Sequence, residues 1–331
     1  MRRSIESEVI VYHDETKSAG TEISKGHALL FVPIKTIIEE TGDLFDTQIR
    51  QVEPLNILFE EIKKIRSDFG VDHKFHFSEI SGRKWAKRNN ADKQIVQIGV
   101  KYLKQNKTFC KLGIIFHEKP RPDQIASYGG KDRNERELRF GETLLRMLLK
   151  GTVHYLYDNS HKVKILKIIT DGQPHHRRLN EFRILDRLTG EVREYVQIPK
   201  DAELVHLNSN HRNYNEGSEE YKHANMLQLA DMLLGCAIHC CLKDAKIKNI
   251  NPQIGNPIED KKGIIAYPVK EMLDKRKRGS GFKNSSHYRA FTISKALIPN
   301  TGWEFENITT RKIEISNAGQ LSIFDILEFK K

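Results

Sequence analysis

The sequence contains few cysteines and no long apolar run. Its four cysteines, at positions 110, 236, 240 and 241 of 331 residues, are too few and too clustered for a disulfide framework and favour a reducing compartment. No stretch of roughly 18 or more apolar residues occurs, so no membrane-spanning helix is predicted. The N-terminal residues Met-Arg-Arg-Ser-Ile-Glu-Ser-Glu lack the apolar core of a signal peptide. The cytoplasm is therefore the expected location.

The glycines do not form a recognisable nucleotide-binding pattern. Neither a phosphate-binding loop nor a dinucleotide-binding fingerprint is found among the 21 glycines. The Gly-x-Ser-x-Gly elbow that carries the nucleophile of many serine hydrolases is also absent from the sequence. These absences argue against a P-loop nucleotide hydrolase and against a serine hydrolase.

Basic residues outnumber acidic ones. Lys and Arg total 55 against 44 Asp and Glu, which gives a formal net charge of +11 and favours a polyanionic partner, with nucleic acid first. A basic run precedes Gly-Ser-Gly and is predicted to be flexible and to bind phosphates; it consists of Lys275, Arg276, Lys277 and Arg278. The alternative is that this run is only a solvated surface.

The order of apolar segments predicts an α/β fold. β-Branched and aromatic residues predict strands over residues 8–14, 27–33, 109–117 and 163–170, the first two as an antiparallel hairpin. Helical spacing of apolar residues predicts helices over residues 53–69, 92–105, 134–157 and 219–242. We therefore expect a mixed sheet flanked by helices in residues 1–242. A basic C-terminal appendage over residues 243–318 and a flexible tail over residues 319–331 complete the expected organisation.

Three aspartates lie at positions that suggest a functional site. Asp14 and Asp171 each end a predicted strand, the usual place for a site in an α/β protein. Asp231 lies inside an apolar helix, where its desolvation is costly unless it is paired or binds a metal. Each residue alone is explained by a turn or an ion pair. Together, in a basic protein, they predict a carboxylate site for Mg²⁺ or Mn²⁺ that acts on phosphodiesters.

Short motifs resemble a bacterial family known as domain of unknown function 3800. Tyr12-His-Asp-Glu-Thr is similar to its Tyr-x-Asp-Glu-Ser opening, and Gln228-Leu-Ala-Asp followed by Gly235 is similar to its closing signature. The segment Phe75-His76 and the strand before Asp171 fall in the family's order, so the resemblance covers about residues 8–242. It implies a ribonuclease H-like fold and a metal-dependent nuclease. Asp14, Asp171 and Asp231 would then be catalytic metal ligands.

One position departs from the pattern of this family. Members commonly carry a glutamate two residues before the middle histidine or lysine, where this chain has Lys74. Glu79, Glu15 or His76 is expected to complete the metal site instead. Gln228 lies three residues before Asp231 on the helix and is predicted either to orient a ligand or to satisfy buried backbone groups.

The tail contains a second motif. Residues 320–324, Gln-Leu-Ser-Ile-Phe, resemble the short peptide with which bacterial proteins bind the DNA sliding clamp. In that interpretation Leu321, Ile323 and Phe324 would enter an apolar groove while Gln320 makes polar contacts, and the ordering cost is met on binding. The alternative is a terminal helix or strand packed on the domain.

The predicted function is a two-metal-ion nuclease that hydrolyses RNA or DNA. The family resemblance suggests a role in phage defence or a mobile element. The alternative is a non-catalytic nucleic-acid-binding adaptor recruited to the sliding clamp through its tail, which Lys74 favours and the three aspartates oppose.

Overall fold

The structure, a computed structural model, contains ten strands and six α-helices in its described residues. Those residues are 5–16, 24–41, 47–80, 86–105, 109–118, 120–157, 161–171, 185, 196–242, 261–277, 290–297 and 304–307. The strands are β1 Ile5–Glu15, β2 Ser24–Pro33, β3 Thr36–Thr41, β4 Thr47–Val52, β5 Lys111–Glu118, β6 His161–Asp171, β7 Val196–Gln197, β8 Glu203–Leu207, β9 Phe291–Leu297 and β10 Glu304–Asn307. The helices are α1 Pro54–Phe69, α2 Ala86–Gln105, α3 Pro122–Ala126, α4 Arg133–Leu156, α5 Glu219–Leu242 and α6 Lys261–Lys277.

Eight of the described strands form one mixed sheet, as the predicted α/β fold requires. Its order is β10-β9-β5-β2-β1-β6-β7, with β8 also pairing with β6, while β3 and β4 form a separate hairpin. β1 is antiparallel to β2, and β2 is antiparallel to β5. β6 runs parallel to β1, and β8 runs parallel to β6. The predicted hairpin of the first two strands is confirmed, with Asp14 opposite Ala28.

Helices cover both faces of this sheet. Successive side chains of each strand point to opposite faces, and apolar side chains on each face pack against helices. On one face, Val9 and Val11 of β1 pack in a cluster with the apolar side of α4. On the other face, Tyr12 packs in a larger cluster with α1, α2, α5 and α6. Asp14 has the same strand parity as Tyr12, so it points towards the α5 face. The alternation of β1 therefore decides which helices can supply partners to Asp14.

Helix α5 is the central helix of the larger cluster. Most of its residues from Ala224 onwards are buried apolar side chains, and it packs against β1, α2 and α6. By length and composition it is the one helix in the described part of the chain that is apolar enough to cross a membrane. However, 94% of the most apolar 18-residue window within Glu219–Cys241 is buried inside the protein. The apolar character of α5 is thus explained by its position in the core.

Described parts of the predicted appendage belong to the main body. α6 buries Ile265, Val269 and Met272, at helical spacing, in the same cluster as α5. β9 pairs with β5 in parallel and buries Phe291 and Ile293. The sequence analysis did not predict these elements, because each apolar run is short and surrounded by polar residues.

Two further local predictions differ from the structure. The alternation of apolar and polar residues over Lys74–Glu79 predicts a strand or an extended edge, whereas the structure has an extended His76 followed by a 3-10 turn over Phe77–Glu79. The basic run expected to be flexible begins inside α6, which contains Lys275–Lys277. Arg278 and the whole tail of residues 319–331 lie outside the described residues.

Candidate metal and nucleic-acid site

Asp14 and Asp171 lie side by side at the ends of parallel strands. In the β1–β6 pair, His13 lies opposite Thr170, so the next residue of each strand is at the same level. Tyr12 and Ile169, two residues earlier, both belong to the cluster on the α5 face. The period-two alternation of strands therefore places both aspartates on that face.

Asp14 is a buried carboxylate in an unfavourable environment. It is 5% exposed, and its Oδ2 atom receives no hydrogen bond from any described group. Burial above all, and then the charges of Asp231 and Asp171, raise the pKa of Asp14 well above its usual value. Asp231 lies within hydrogen-bonding range of Asp14. Two ionised carboxylates have no proton to share, so this pair needs either a proton or a cation.

Asp171 is held by the strand next to it. The backbone N–H of Ser209 donates to Oδ1 of Asp171 at 3.2 Å, and the hydroxyl of Ser209 donates to Oδ2 at 3.1 Å. Ser209 follows the end of β8, which runs parallel to β6. Both oxygens of a half-buried carboxylate are thereby oriented by one buried residue.

Asp231 binds the segment that follows α1. Its Oδ2 atom accepts the backbone N–H of Phe77 at 2.8 Å and Nδ1–H of His76, also at 2.8 Å. His76 is partly exposed, with 32% of its side chain accessible. The predicted association of His76 with the aspartates is therefore present as a hydrogen bond to Asp231.

Gln228 uses its whole amide to join three chain segments. Oε1 accepts from the guanidinium of Arg66 and from the backbone N–H of Phe75, each at 2.9 Å. Nε2 donates to the backbone carbonyl of Ser209 at 2.6 Å and to Nδ1 of His211 at 3.1 Å. Gln228 therefore satisfies buried backbone groups, as one of the two expectations has it. It also binds Ser209, which in turn orients Asp171, so its effect on that carboxylate is indirect.

The three residues of the closing motif share one side of α5. Gln228, Asp231 and Gly235 stand at i, i+3 and i+7, on one side of α5. A Cβ atom at Gly235 would overlap the side chain of Phe77. The motif thus binds the backbone N–H groups of Phe75 and Phe77 and leaves room for the Phe77 ring.

Two other predicted ligands lie elsewhere. Glu79 forms an ion pair with Arg88 at 2.9 Å, and half of its side chain is exposed. Glu15 alternates with Asp14 and lies on the opposite face of β1, 3.8 Å from Nδ1 of His27. Its charge still contributes to the raised pKa of Asp14, after burial and the charges of Asp231 and Asp171. The structure therefore brings together Asp14, Asp171 and Asp231, with His76 and Gln228, but places neither glutamate with them.

The donor set suits a hard cation only in part. Within the described ranges, no group of three or more His, Cys, Asp or Glu side chains has an arrangement ready to hold a metal ion. The buried Oδ2 of Asp14 and its closeness to Asp231 do fit a cation, because carboxylate oxygens are the preferred ligands of Mg²⁺ and Mn²⁺. Asp171 would have to exchange part of its bonding to Ser209 to join them.

Sequence reasoning missed the buried basic group of the site. Arg66 is 8% exposed and donates to Asn225, Gln228 and the carbonyl of His73. Burial lowers the pKa of Arg66 to about 10, so it stays charged at neutral pH. The sequence feature that could have indicated its burial is the position of Arg66 next to Ile65, on the apolar side of α1. Ser209 lies in a loop and carried no comparable signal.

The remaining predicted contacts are not described at side-chain level. Lys275, Arg276 and Lys277 are known as backbone positions of α6. Arg278 and the clamp-like residues Gln320, Leu321, Ile323 and Phe324 lie outside the described residues. Comparison with protein-family models, with curated proteins and with solved structures gives no significant match.

Replacing Gln228 with leucine is expected to lower the free energy of unfolding by about 3 kcal/mol or more. The change removes partners from a buried guanidinium, an N–H group and a carbonyl, and each unsatisfied group costs about 1–3 kcal/mol. Urea unfolding measures the loss. The exposed Gln51, replaced in the same way, serves as the control and should change stability by less than about 0.5 kcal/mol. Equal effects of the two substitutions would contradict the role given to Gln228.

Proposed function

We propose that this protein is a metal-dependent nuclease that hydrolyses phosphodiester bonds of nucleic acid. The observation that carries the proposal is the buried approach of Asp14 to Asp231, beside Asp171. A buried group of carboxylates is unfavourable by itself and is favourable around a divalent cation. The excess of basic residues supports a polyanionic substrate.

The sheet supports a ribonuclease H-like core for this nuclease. Three antiparallel strands, β5, β2 and β1, are continued by two parallel strands, β6 and β8, with β1 in the middle. This is the strand arrangement expected of a ribonuclease H-like sheet. Asp14 on the central strand, Asp171 on its parallel neighbour and Asp231 on the closing helix agree with the order of motifs in the family that the sequence resembles.

Asp14 and Asp231 are the residues proposed to hold Mg²⁺ or Mn²⁺, with Asp171 as a third ligand. When bound, such ions supply an activated water and neutralise charge on the scissile phosphate. The chain's own groups prepare this site. Ser209 orients Asp171, and His76 and the N–H of Phe77 leave Asp231 one carboxylate oxygen not engaged by them.

A non-catalytic adaptor is the second candidate. The pairing of Glu79 with Arg88 favours it, since a glutamate expected to complete the metal site is engaged elsewhere, and Lys74 stands where the resembled family has glutamate. In either case the tail, with Gln320, Leu321, Ile323 and Phe324, is proposed to bind the sliding clamp. A cytoplasmic location and a role in phage defence or a mobile element belong to the same proposal.

Cleavage of labelled oligonucleotides tests the nuclease. Single-stranded RNA, RNA–DNA hybrid, single-stranded DNA and duplex DNA would each be incubated with Mg²⁺, Mn²⁺ or EDTA. Cleavage is expected to need the cation and to fall about 1,000-fold or more in Asp14→Asn and Asp231→Asn, because several kcal/mol of charge stabilisation are lost.

The exposed Asp123 in α3 provides a matched control, and Asp123→Asn should cleave like the wild type. Cleavage that persists in EDTA, or that survives Asp14→Asn, would show that the carboxylates are not the site. Binding of nucleic acid without cleavage of any of the four substrates would favour the adaptor.

A further inference from the structure

A groove separate from the carboxylates runs between α1, α2 and α6. It has a volume of about 820 Å³. Residues of all three helices line it, including Phe69 of α1, Gln97 of α2 and Tyr267 of α6. The volume lies in the range of ligand-binding cavities, which is roughly 300–1,000 Å³.

Aromatic side chains lie in this groove. Tyr267 is 37% exposed and is the one large hydrophobic side chain that is exposed among the described residues. Phe69 is only half-buried. Exposed aromatic rings cost free energy in water, and nucleic-acid-binding grooves use such rings to stack bases. The ring of Tyr267 therefore gives this groove an accessible surface on which a base can stack.

Lysines surround these rings. Lys64, Lys93, Lys101 and Lys104 line the groove, together with three acidic residues, Glu61, Asp68 and Glu271. Glu61 is already bound by Lys101 at 3.1 Å and by the Tyr102 hydroxyl at 2.9 Å. In the described part of the chain, Lys64 and Lys93 form no ion pair. These two lysines are thus placed to bind phosphates.

The first turn of α6 contacts the segment that Asp231 binds. Nζ of Lys262, in the first turn of α6, donates to the carbonyl of Ser78 at 3.3 Å and lies 5.5 Å from the ring centre of Phe77. The N–H of Phe77 is bound by Asp231. Tyr267 follows five residues after Lys262, about 7.5 Å further along the helix axis. α6 therefore runs from the Phe77 segment, which Asp231 binds, past Tyr267, and its last turn contains the basic residues Lys275–Lys277.

We propose that the groove between α1, α2 and α6 binds a single nucleic-acid strand, with a base stacked on Tyr267 and phosphates bound by Lys64 and Lys93. The proposal rests on the nuclease function proposed above and names its substrate class. A single strand is the partner of choice because its bases are free to stack on an aromatic ring, whereas those of a duplex are already stacked on each other.

Equilibrium binding of fluorescent 12-nucleotide single strands, followed by anisotropy in EDTA, tests the groove without any cleavage. Tyr267→Ala is expected to weaken binding by about 5- to 150-fold, the effect of losing one base–aromatic stack. Tyr267→Phe keeps the ring and should bind like the wild type. Lys64→Ala and Lys93→Ala should each reduce the slope of log K against log salt by about 0.7.

Lys63 is the matched control, because it neighbours Lys64 in sequence but pairs with Glu216 and does not line the groove. Lys63→Ala should leave the salt slope unchanged. The proposal is overturned if the wild type binds no single strand, if it binds duplex DNA more tightly, or if Tyr267→Ala binds normally. If any of these results is found together with cleavage that depends on Asp14, the proposed role of the groove is wrong and the proposed nuclease function stands. Loss of a dimer in Tyr267→Ala with unchanged strand binding would assign the groove to a second copy of the chain.

Discussion

Asp14→Asn is expected to make the metal-free protein more stable at neutral pH while it abolishes metal-dependent activity. The wild-type carboxylate is buried beside Asp231 and Asp171, and its Oδ2 receives no hydrogen bond from the described residues. An amide has no charge to desolvate and does not repel its neighbours. The gain should be about 1–3 kcal/mol, the usual cost of a buried polar group without a partner.

The pH dependence of this effect has a definite sign. Burial and the neighbouring carboxylates raise the pKa of Asp14 in the folded state above its unfolded value. Between these two values the folded protein binds more protons than the unfolded chain, so stability falls as pH rises through that window. The metal-free wild type should therefore lose stability from about pH 4 upwards, and Asp14→Asn should lose less.

Thermal unfolding with and without Mn²⁺ measures both effects. A cation that binds only the folded state at about a hundred times its Kd should stabilise the wild type by about 2.7 kcal/mol, and Asp14→Asn much less. Asp123→Asn, at an exposed position, should behave like the wild type in all conditions. A stability of Asp14→Asn that is lower than that of the wild type at pH 8 in EDTA would contradict the account of this carboxylate.

Gly235→Ala is expected to destabilise the protein by about 1–3 kcal/mol or more and to reduce cation binding. The added Cβ would overlap Phe77, whose backbone N–H is bound by Asp231. Moving that segment to relieve the overlap strains the core and displaces His76 from Asp231. Denaturant unfolding and Mn²⁺ titration measure the two losses.

Helical glycines without neighbours provide the control for this substitution. Gly141 and Gly151 in α4 have no atom within 4 Å of an added Cβ, so alanine there should stabilise by about 0.5–1 kcal/mol. In a Phe77→Ala background, Gly235→Ala should cost much less, because the overlap is gone. An unchanged cost in that background would show that Phe77 is not the reason for the glycine.

Local patterns were sufficient to predict much of the fold. The alternation of β1 and β2 and the helical spacing in α1, α4 and α5 predicted elements that the structure contains. The C-terminal elements α6 and β9 were missed, since their few apolar residues become core residues only when α5 and β5 are present to cover them. Such long-range burial has no signature in a window of neighbouring residues.

The sequence by itself determined which residues of this protein are chemically unusual: aspartates at strand ends, an aspartate in an apolar helix, and a glutamine and a glycine at fixed distances from it. Only the tertiary structure decided which of them meet. Strand parity directs Asp14 towards Asp231 and Glu15 away from it, and the ion pair with Arg88 engages Glu79. Ser209 and Arg66 belong to the site because the parallel pairing of β6 with β8 and the packing of α1 against α5 bring distant segments together. The free energy of these long-range contacts cannot be read from a local sequence pattern.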